Sequence, residues 1–169
     1  MKYPFLVIDT ETTGLGEDDE VLEFGAVDPL GSKVFHCMVK PVRHAQWPEA
    51  QAINKIDPSS VEFALTGDQL SPVVAELLGN AGFIVGYNIR FDLRMLAQSG
   101  FNLPASLKPC DIMDLVVKHY GKRVSLGNAA KDMGILVKNA HSAIGDACTS
   151  LLVMNALCAT GLSKIFEHE

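Results

Sequence analysis

The stretch Phe5-Leu6-Val7-Ile8-Asp9-Thr10-Glu11-Thr12-Thr13-Gly14 decides how the chain is read. Its first four residues are apolar at every position, as in a strand covered on both faces. Two acids follow, two residues apart. Strand side chains alternate, so Asp9 and Glu11 share one face with Phe5 and Val7, while Leu6 and Ile8 take the other. Like charges side by side at the end of a buried strand repel and are costly. A divalent cation between them relieves that cost, and α/β sheets place their sites at the carboxyl ends of strands. Taken alone, the pair also fits a strand end that frays into water with two harmless acids.

Working outward, residues 13–20 read as an acidic turn, 21–28 as a second strand and 33–39 as a third. The short turns between them predict an antiparallel meander. Residues 41–58 are loop-rich, with one helical turn. Apolar positions at helical spacing predict a helix over 71–78, opened by Ser71-Pro72. Residues 83–85 read as a short buried strand. Helices are predicted over 90–99, 111–120, 125–133 and 143–159, with Gly161 just past the last. Strands first, then helices alternating with one or two more strands, give an α/β class with a mixed sheet. With no linker, repeat or low-complexity tract, residues 1–169 read as a single domain.

The charges narrow the partners. The chain carries a net charge of −6, which argues against a generic basic nucleic-acid coat. It does not exclude an enzyme that grips a polyanion through metal ions. The charge is uneven: residues 1–89 carry net −8 and residues 90–138 net +4. The basic middle contains Arg90, Arg94, Lys108, Lys118, Lys122, Arg123, Lys131 and Lys138. It fits either solvated helix faces or a surface that steers a polyanion toward an acidic site. Cys37, Cys110, Cys148 and Cys158 form no CxxC pair and read as small hydrophobes or reduced thiols of a cytoplasmic protein. The apolar run at 5–8 is too short for a signal sequence or a membrane span, so no membrane association is expected.

Two further groups carry chemistry. Gly86-Tyr87-Asn88-Ile89-Arg90-Phe91-Asp92 follows the second buried strand, and Asp92 falls in the first turn of the next helix. Alone, Asp92 fits a partner for the helix dipole. His141 and Asp146 are five apart; on one helix they would diverge by about 140°. They converge better if His141 sits on the loop and Asp146 lies a turn inside the helix. Alone, His141 fits an ordinary surface histidine. Together the four carboxylates and the histidine form a constellation. Hard carboxylate oxygens select Mg²⁺ or Mn²⁺ over zinc, and two such ions can flank an in-line displacement at phosphorus. A histidine can take the proton of the attacking water.

At these residues the chain resembles a known family. Asp9-Thr10-Glu11-Thr12-Thr13-Gly14, Asn88-x-x-Phe91-Asp92 and His141-x-x-x-x-Asp146-Ala147 look like the three motifs of the DEDDh group, the proofreading-type (DnaQ-like) 3′→5′ exonucleases with a ribonuclease H-like fold. Residues 21–27 look like the family's second strand. The resemblance implies an α/β, ribonuclease H-like domain: a mixed five-stranded sheet, three antiparallel N-terminal strands plus parallel ones, flanked by helices. It implies hydrolysis of phosphodiester bonds from the 3′ end of DNA or RNA, releasing nucleoside 5′-monophosphates with two divalent ions, Mg²⁺ or Mn²⁺.

The resemblance also assigns roles. Asp9, Glu11 and Asp146 would hold the metal that activates water. Asp9 would bridge to the second metal, with Asp92 supporting it through water. His141 would be the general base and would touch the substrate, and its identity places the chain in the histidine branch. Thr12, through its backbone, and Leu15 would lie against the terminal nucleotide, and Asn88 and Phe91 would shape the same pocket. The implied partners are single-stranded 3′ ends and a DNA polymerase or another replication or repair factor. Thr12 stands where oligoribonuclease-like members usually carry methionine, which disfavours that subgroup. The chain ends soon after the last helix, without the polymerase-gripping tail usual in proofreading subunits. That fits a stand-alone enzyme or a domain cut from something larger. The acidic charge leads us to expect distributive cleavage. The rival readings are an exoribonuclease with the same chemistry, and a non-catalytic binding module. Retention of all five site residues disfavours the module.

Overall fold

The computed structural model describes residues 2–161. Five strands form one mixed sheet in the order β3-β2-β1-β4-β5. They are β1 (Tyr3–Thr12), β2 (Val21–Val27), β3 (Lys33–Met38), β4 (Ala81–Gly86) and β5 (Pro109–Asp111). β1 pairs antiparallel with β2 and β2 with β3, while β1–β4 and β4–β5 are parallel. This is the expected sheet. β1 extends well beyond its apolar run, because β2 pairs with it as far as Thr12 while β4 pairs only as far as Val7. Asp9 and Glu11 therefore stand on a paired strand, not on a frayed end. They sit where β4 parts from β1 at the carboxyl end of the sheet.

The alternation along β1 builds two cores. Val7 and Phe5 face α5 (Ile112–Tyr120), α6 (Leu126–Asp132) and α7 (Ala143–Ala159), packing with Val85, Ile112, Val116, Leu151 and Leu157. Leu6 and Ile8 face α3 (Gly67–Gly79) and α4 (Ile89–Gln98), packing with Phe24, Leu78, Met95 and Leu96. Each such side chain, fully buried, contributes about 1.5–3 kcal/mol. α7 presses directly on β2: a Cβ on Gly25 would lie 2.9 Å from the backbone of both Ala143 and Ile144.

Two stretches differ from expectation. Residues 41–58 hold more helix than one turn, with α1 (Pro48–Asn54) and the start of α2 (Pro58–Val61). Each begins with proline, which costs nothing in the first turn because that N–H has no helical partner. The two pack on a small core of Leu22, Trp47, Ile56 and Val61, closed by the Trp47 Nε1–H bond to the Ile56 carbonyl (2.8 Å). α3 starts four residues before the serine–proline pair, at Gly67, so Pro72 lies inside it. Gln69 caps that start by accepting the Thr66 N–H at 3.0 Å. None of the four cysteines forms a disulfide.

Candidate active site

Asp9 and Glu11 project from the Val7 face of β1 toward the N-terminus of α7, which carries Asp146. Oxygens of Asp9, Glu11 and Asp146 lie within 4.8 Å of one another. Among the described residues no lysine or arginine forms an ion pair with any of them. The strain shows in their protonation. Burial, then Asp92, Asp146 and Glu11, hold the Asp9 carboxyl well above its usual value. Burial, then Asp146, Glu23 and Asp92, push Glu11 up to about 8. Asp146 is raised by burial, against the lowering effect of His141 and its backbone N–H. Half-buried carboxylates converging without a counter-charge are the donor set a hard divalent cation requires. The three residues fit such an ion.

Asp92 is separate from this trio. It is 3% exposed, and its Oδ1 accepts the Thr10 N–H (3.0 Å) and hydroxyl (2.8 Å). Burial raises it to about 7 despite those bonds. It still adds to the field that raises Asp9 and Glu11.

His141 lies on the loop, exposed, at φ +61°, with Asn139 at φ +52°. Its backbone N–H bonds the Asp146 carboxylate. Ser142 caps α7, accepting the Gly145 N–H (3.2 Å) and donating to the Asn139 carbonyl (3.0 Å). The loop and the helix thus place His141 and Asp146 together, as their spacing suggested. Gly145 makes the fit possible, since a Cβ there would lie 2.1 Å from the Asn139 carbonyl oxygen. Gly145→Ala is expected to lift the His141 loop. The overpacking should cost about 1–3 kcal/mol, read as a lowered melting temperature. Misplacing His141 should cut catalytic turnover toward about 10²-fold.

Beside the trio opens a cleft of about 600 Å³, lined by Glu11, Thr12, Leu15, Trp47, Ile53 and Asn54 among others. Leu15 is 78% and Ile53 57% exposed, facing the opening as apolar surfaces. The Leu15 loop is tightly held. Arg94 donates to the Leu15 (3.1 Å) and Gly16 (3.2 Å) carbonyls. Asp19 accepts from the Thr13 hydroxyl and the Gly16 N–H, both at 2.7 Å. Arg94 of the basic middle is therefore a clamp on this loop and stacks over Phe91.

Asn88 and Phe91 lie outside the lining of this cleft. Asn88 precedes α4 at φ +67°; its N–H bonds Asp111 (2.8 Å), and its side-chain oxygen accepts from Arg123 (2.9 Å). The α1 wall was not foreseen. Asn54 donates to the Thr12 carbonyl at 3.2 Å and steadies the Glu11 carboxylate. The clue was Pro48 just after the chain's single tryptophan. Glu23, buried on β2 opposite Glu11, was also missed as a member of the cluster.

The raised carboxylates make stability depend on pH. Folded Glu11 (about 8, from 4.5) and Asp92 (about 7, from 3.8) hold protons that the unfolded chain has released. Their contribution is full below about pH 4 and is lost as pH rises toward 8. The metal-free protein should melt lower at pH 8 than at pH 5.5. Mg²⁺ or Mn²⁺ at 100 times its Kd adds about 2.7 kcal/mol, roughly 5–10 °C, and at a fixed metal concentration the gain should grow with pH. Melting curves in EDTA and in metal, across pH, measure both; a gain independent of pH would contradict the acidic cluster as the binding site.

The comparisons with known proteins agree with this geometry. The sequence profile of the exonuclease (RNase T) family matches residues 6–154. The chain is 31% identical to an uncharacterized exonuclease of Escherichia phage 186, covering 92% of this chain and 89% of the relative. It is 29% identical to a PolC-type DNA polymerase III of Clostridium perfringens, covering 85% of this chain and 10% of the polymerase. A 3′-5′ exonuclease DinG of Staphylococcus haemolyticus is 27% identical, with 89% and 17% covered. The zinc-bound E. coli exonuclease I complex with single-stranded DNA superposes with a TM-score of 0.80 at 22% identity, covering 99% of this chain and 42% of that one. This chain therefore spans under half of exonuclease I and under a fifth of the polymerase and of DinG, but most of the phage exonuclease. Sheet order, carboxylate cluster and family profile converge, and the chain belongs to the DnaQ-like exonuclease family.

Proposed function

We propose that this protein is a metal-dependent 3′→5′ exonuclease of the histidine type, acting on single-stranded 3′ ends of DNA. The observation that carries the reading is the uncompensated trio Asp9, Glu11 and Asp146, set against a cleft with an exposed Leu15. Asp9, Glu11 and Asp146 would hold one divalent ion, with Asp9 shared with a second and Asp92 supporting that one through water. Mg²⁺ or Mn²⁺, when bound there, supplies a water of lowered pKa and charge compensation at the scissile phosphate. His141 accepts the proton of the attacking water. The water oxygen bonds to phosphorus as the P–O3′ bond breaks, and the departing 3′ oxygen takes a proton from solvent water, leaving a nucleoside 5′-monophosphate and a new 3′-hydroxyl.

Thr12 and Leu15 hold the terminal nucleotide in the cleft, Leu15 offering an apolar face to the base. Asn88 and Phe91 act from beside the cleft, Asn88 through its bond to Arg123 at the start of the helix that carries Asp92. DNA is favoured over RNA because relatives are a DNA polymerase and a DNA-bound exonuclease. The polymerase relative also supports a replication or repair assembly as partner. A cytoplasmic setting accords with thiols that form no disulfide, and among the described residues no helix is long and apolar enough to cross a membrane.

The test is a 5′-labelled single-stranded DNA and its RNA counterpart, each with Mn²⁺, Mg²⁺ or EDTA, resolved on a gel. A ladder shortening from the 3′ end, dependent on metal and faster on DNA, is expected. Faster RNA cleavage would make the protein an exoribonuclease. No cleavage of either by folded, metal-binding protein would make it a binding module.

A further inference from the structure

We infer that Glu23 is a positioning residue that sets the N-terminus of α7, and with it Asp146 and His141, against Asp9 and Glu11. This rests on the reading that the carboxylate trio holds a divalent cation.

Glu23 lies on β2, register partner of Glu11 on β1, with a side chain only 9% exposed. A fourth acid beside the trio adds to the repulsion and raises Asp9, Glu11 and Asp146 further. Such a residue is a liability unless its oxygens do something there, and both are engaged. Oε1 accepts from His36 Nε2 at 2.6 Å, and Oε2 accepts the backbone N–H of Ala143 at 3.2 Å. That N–H belongs to the first residue of α7, one of the N–H groups a helix cannot satisfy internally. Ser142 takes the Gly145 N–H, and Glu23 takes the Ala143 N–H from a strand 120 residues away.

The bond acts where α7 has little freedom. Gly25, two residues along β2, lets the same Ala143–Ile144 backbone rest on the strand. Glu23 then fixes the helix along β2. Asp146 lies one turn further on, and the His141 N–H is tied to its carboxylate. His36, exposed on β3, holds the other end of Glu23. The chain of contacts runs from the outer strand of the sheet to the metal-facing acid.

The test compares Glu23→Gln, Glu23→Ala and His36→Ala with the unaltered protein. Mn²⁺ affinity is read by the electron paramagnetic resonance of free Mn²⁺, and kcat and KM with the labelled oligonucleotide. Gln keeps an oxygen for Ala143 and should stay within about 3-fold in Mn²⁺ affinity and kcat. Ala should lose about 10–100-fold in both, at unchanged KM. His36→Ala leaves every metal-facing side chain in place and should fall between; it serves if Glu23→Ala does not fold. Gln falling as far as Ala would overturn the inference, because charge rather than the bond to α7 would then matter. So would His36→Ala or Glu23→Ala matching the unaltered protein in Mn²⁺ affinity. Protein that binds Mn²⁺ but cuts nothing refutes the exonuclease reading, while the Mn²⁺ affinities still decide the role of Glu23.

Discussion

Asp9→Ala is expected to abolish cleavage while raising the melting temperature of the metal-free protein. The two effects have one cause. Asp9 stands at the centre of the acids: its carboxyl is raised by burial and by Asp92, Asp146, Glu11 and Glu23 together. Without a cation, near neutral pH, ionising it among those neighbours costs folding free energy. Alanine removes that cost and leaves β1 paired on β2. With a cation the sign reverses. Asp9 is the ligand expected to serve both ions, so its loss should lower turnover by at least about 10³-fold, beyond the loss of a single transition-state hydrogen bond. Melting curves in EDTA and in Mn²⁺, beside the gel assay, read both effects. The variant should melt higher than the unaltered protein in EDTA and gain less on adding Mn²⁺. Near-normal turnover would remove Asp9 from the metal site. A large loss of stability in EDTA would mean that the acid serves the fold.

The same residue shows why the site was legible in the sequence. A strand of unbroken apolar residues ending in two acids is a local pattern, and period-two geometry alone puts both carboxylates on one face. The bounds of α7 were also legible, because the apolar stretch over 143–159 and Gly161 beyond its end are local signals. What escaped depends on pairing across the chain. β5 is three residues long, Pro109–Asp111, and becomes a strand only by lying beside β4. No periodicity can develop over that length. Residues 41–58, with Pro41, Pro48 and Pro58, read as loop, although Pro48 and Pro58 each sit where a helix tolerates proline best. The reverse error occurred in α3. Pro72 reads as a first-turn residue, whereas Gln69 caps a start four residues before the serine–proline pair. No local pattern within residues 21–27 singles out Glu23, since every position of β2 is buried. Its place in the cluster follows from its register with Glu11 and its reach to Ala143, neither of which is local.

His141→Asn should lower the single-turnover rate by roughly 10²–10⁴-fold, the usual share of general acid–base catalysis, while leaving Mn²⁺ affinity within about 2-fold. Asparagine is chosen because His141 sits at φ +61°, a conformation that asparagine tolerates and alanine resists. The backbone N–H that steadies Asp146 is kept in either variant. The substitution therefore removes the imidazole without lifting the loop. The ring is exposed and its charge acts on Asp146, which sets it beside a water held at the carboxylate trio. An imidazole is suited to this because a free ring nitrogen can accept a proton. A fall in Mn²⁺ affinity equal to the fall in rate would mean that His141 acts by placing Asp146. An unchanged rate would mean that another group takes the proton.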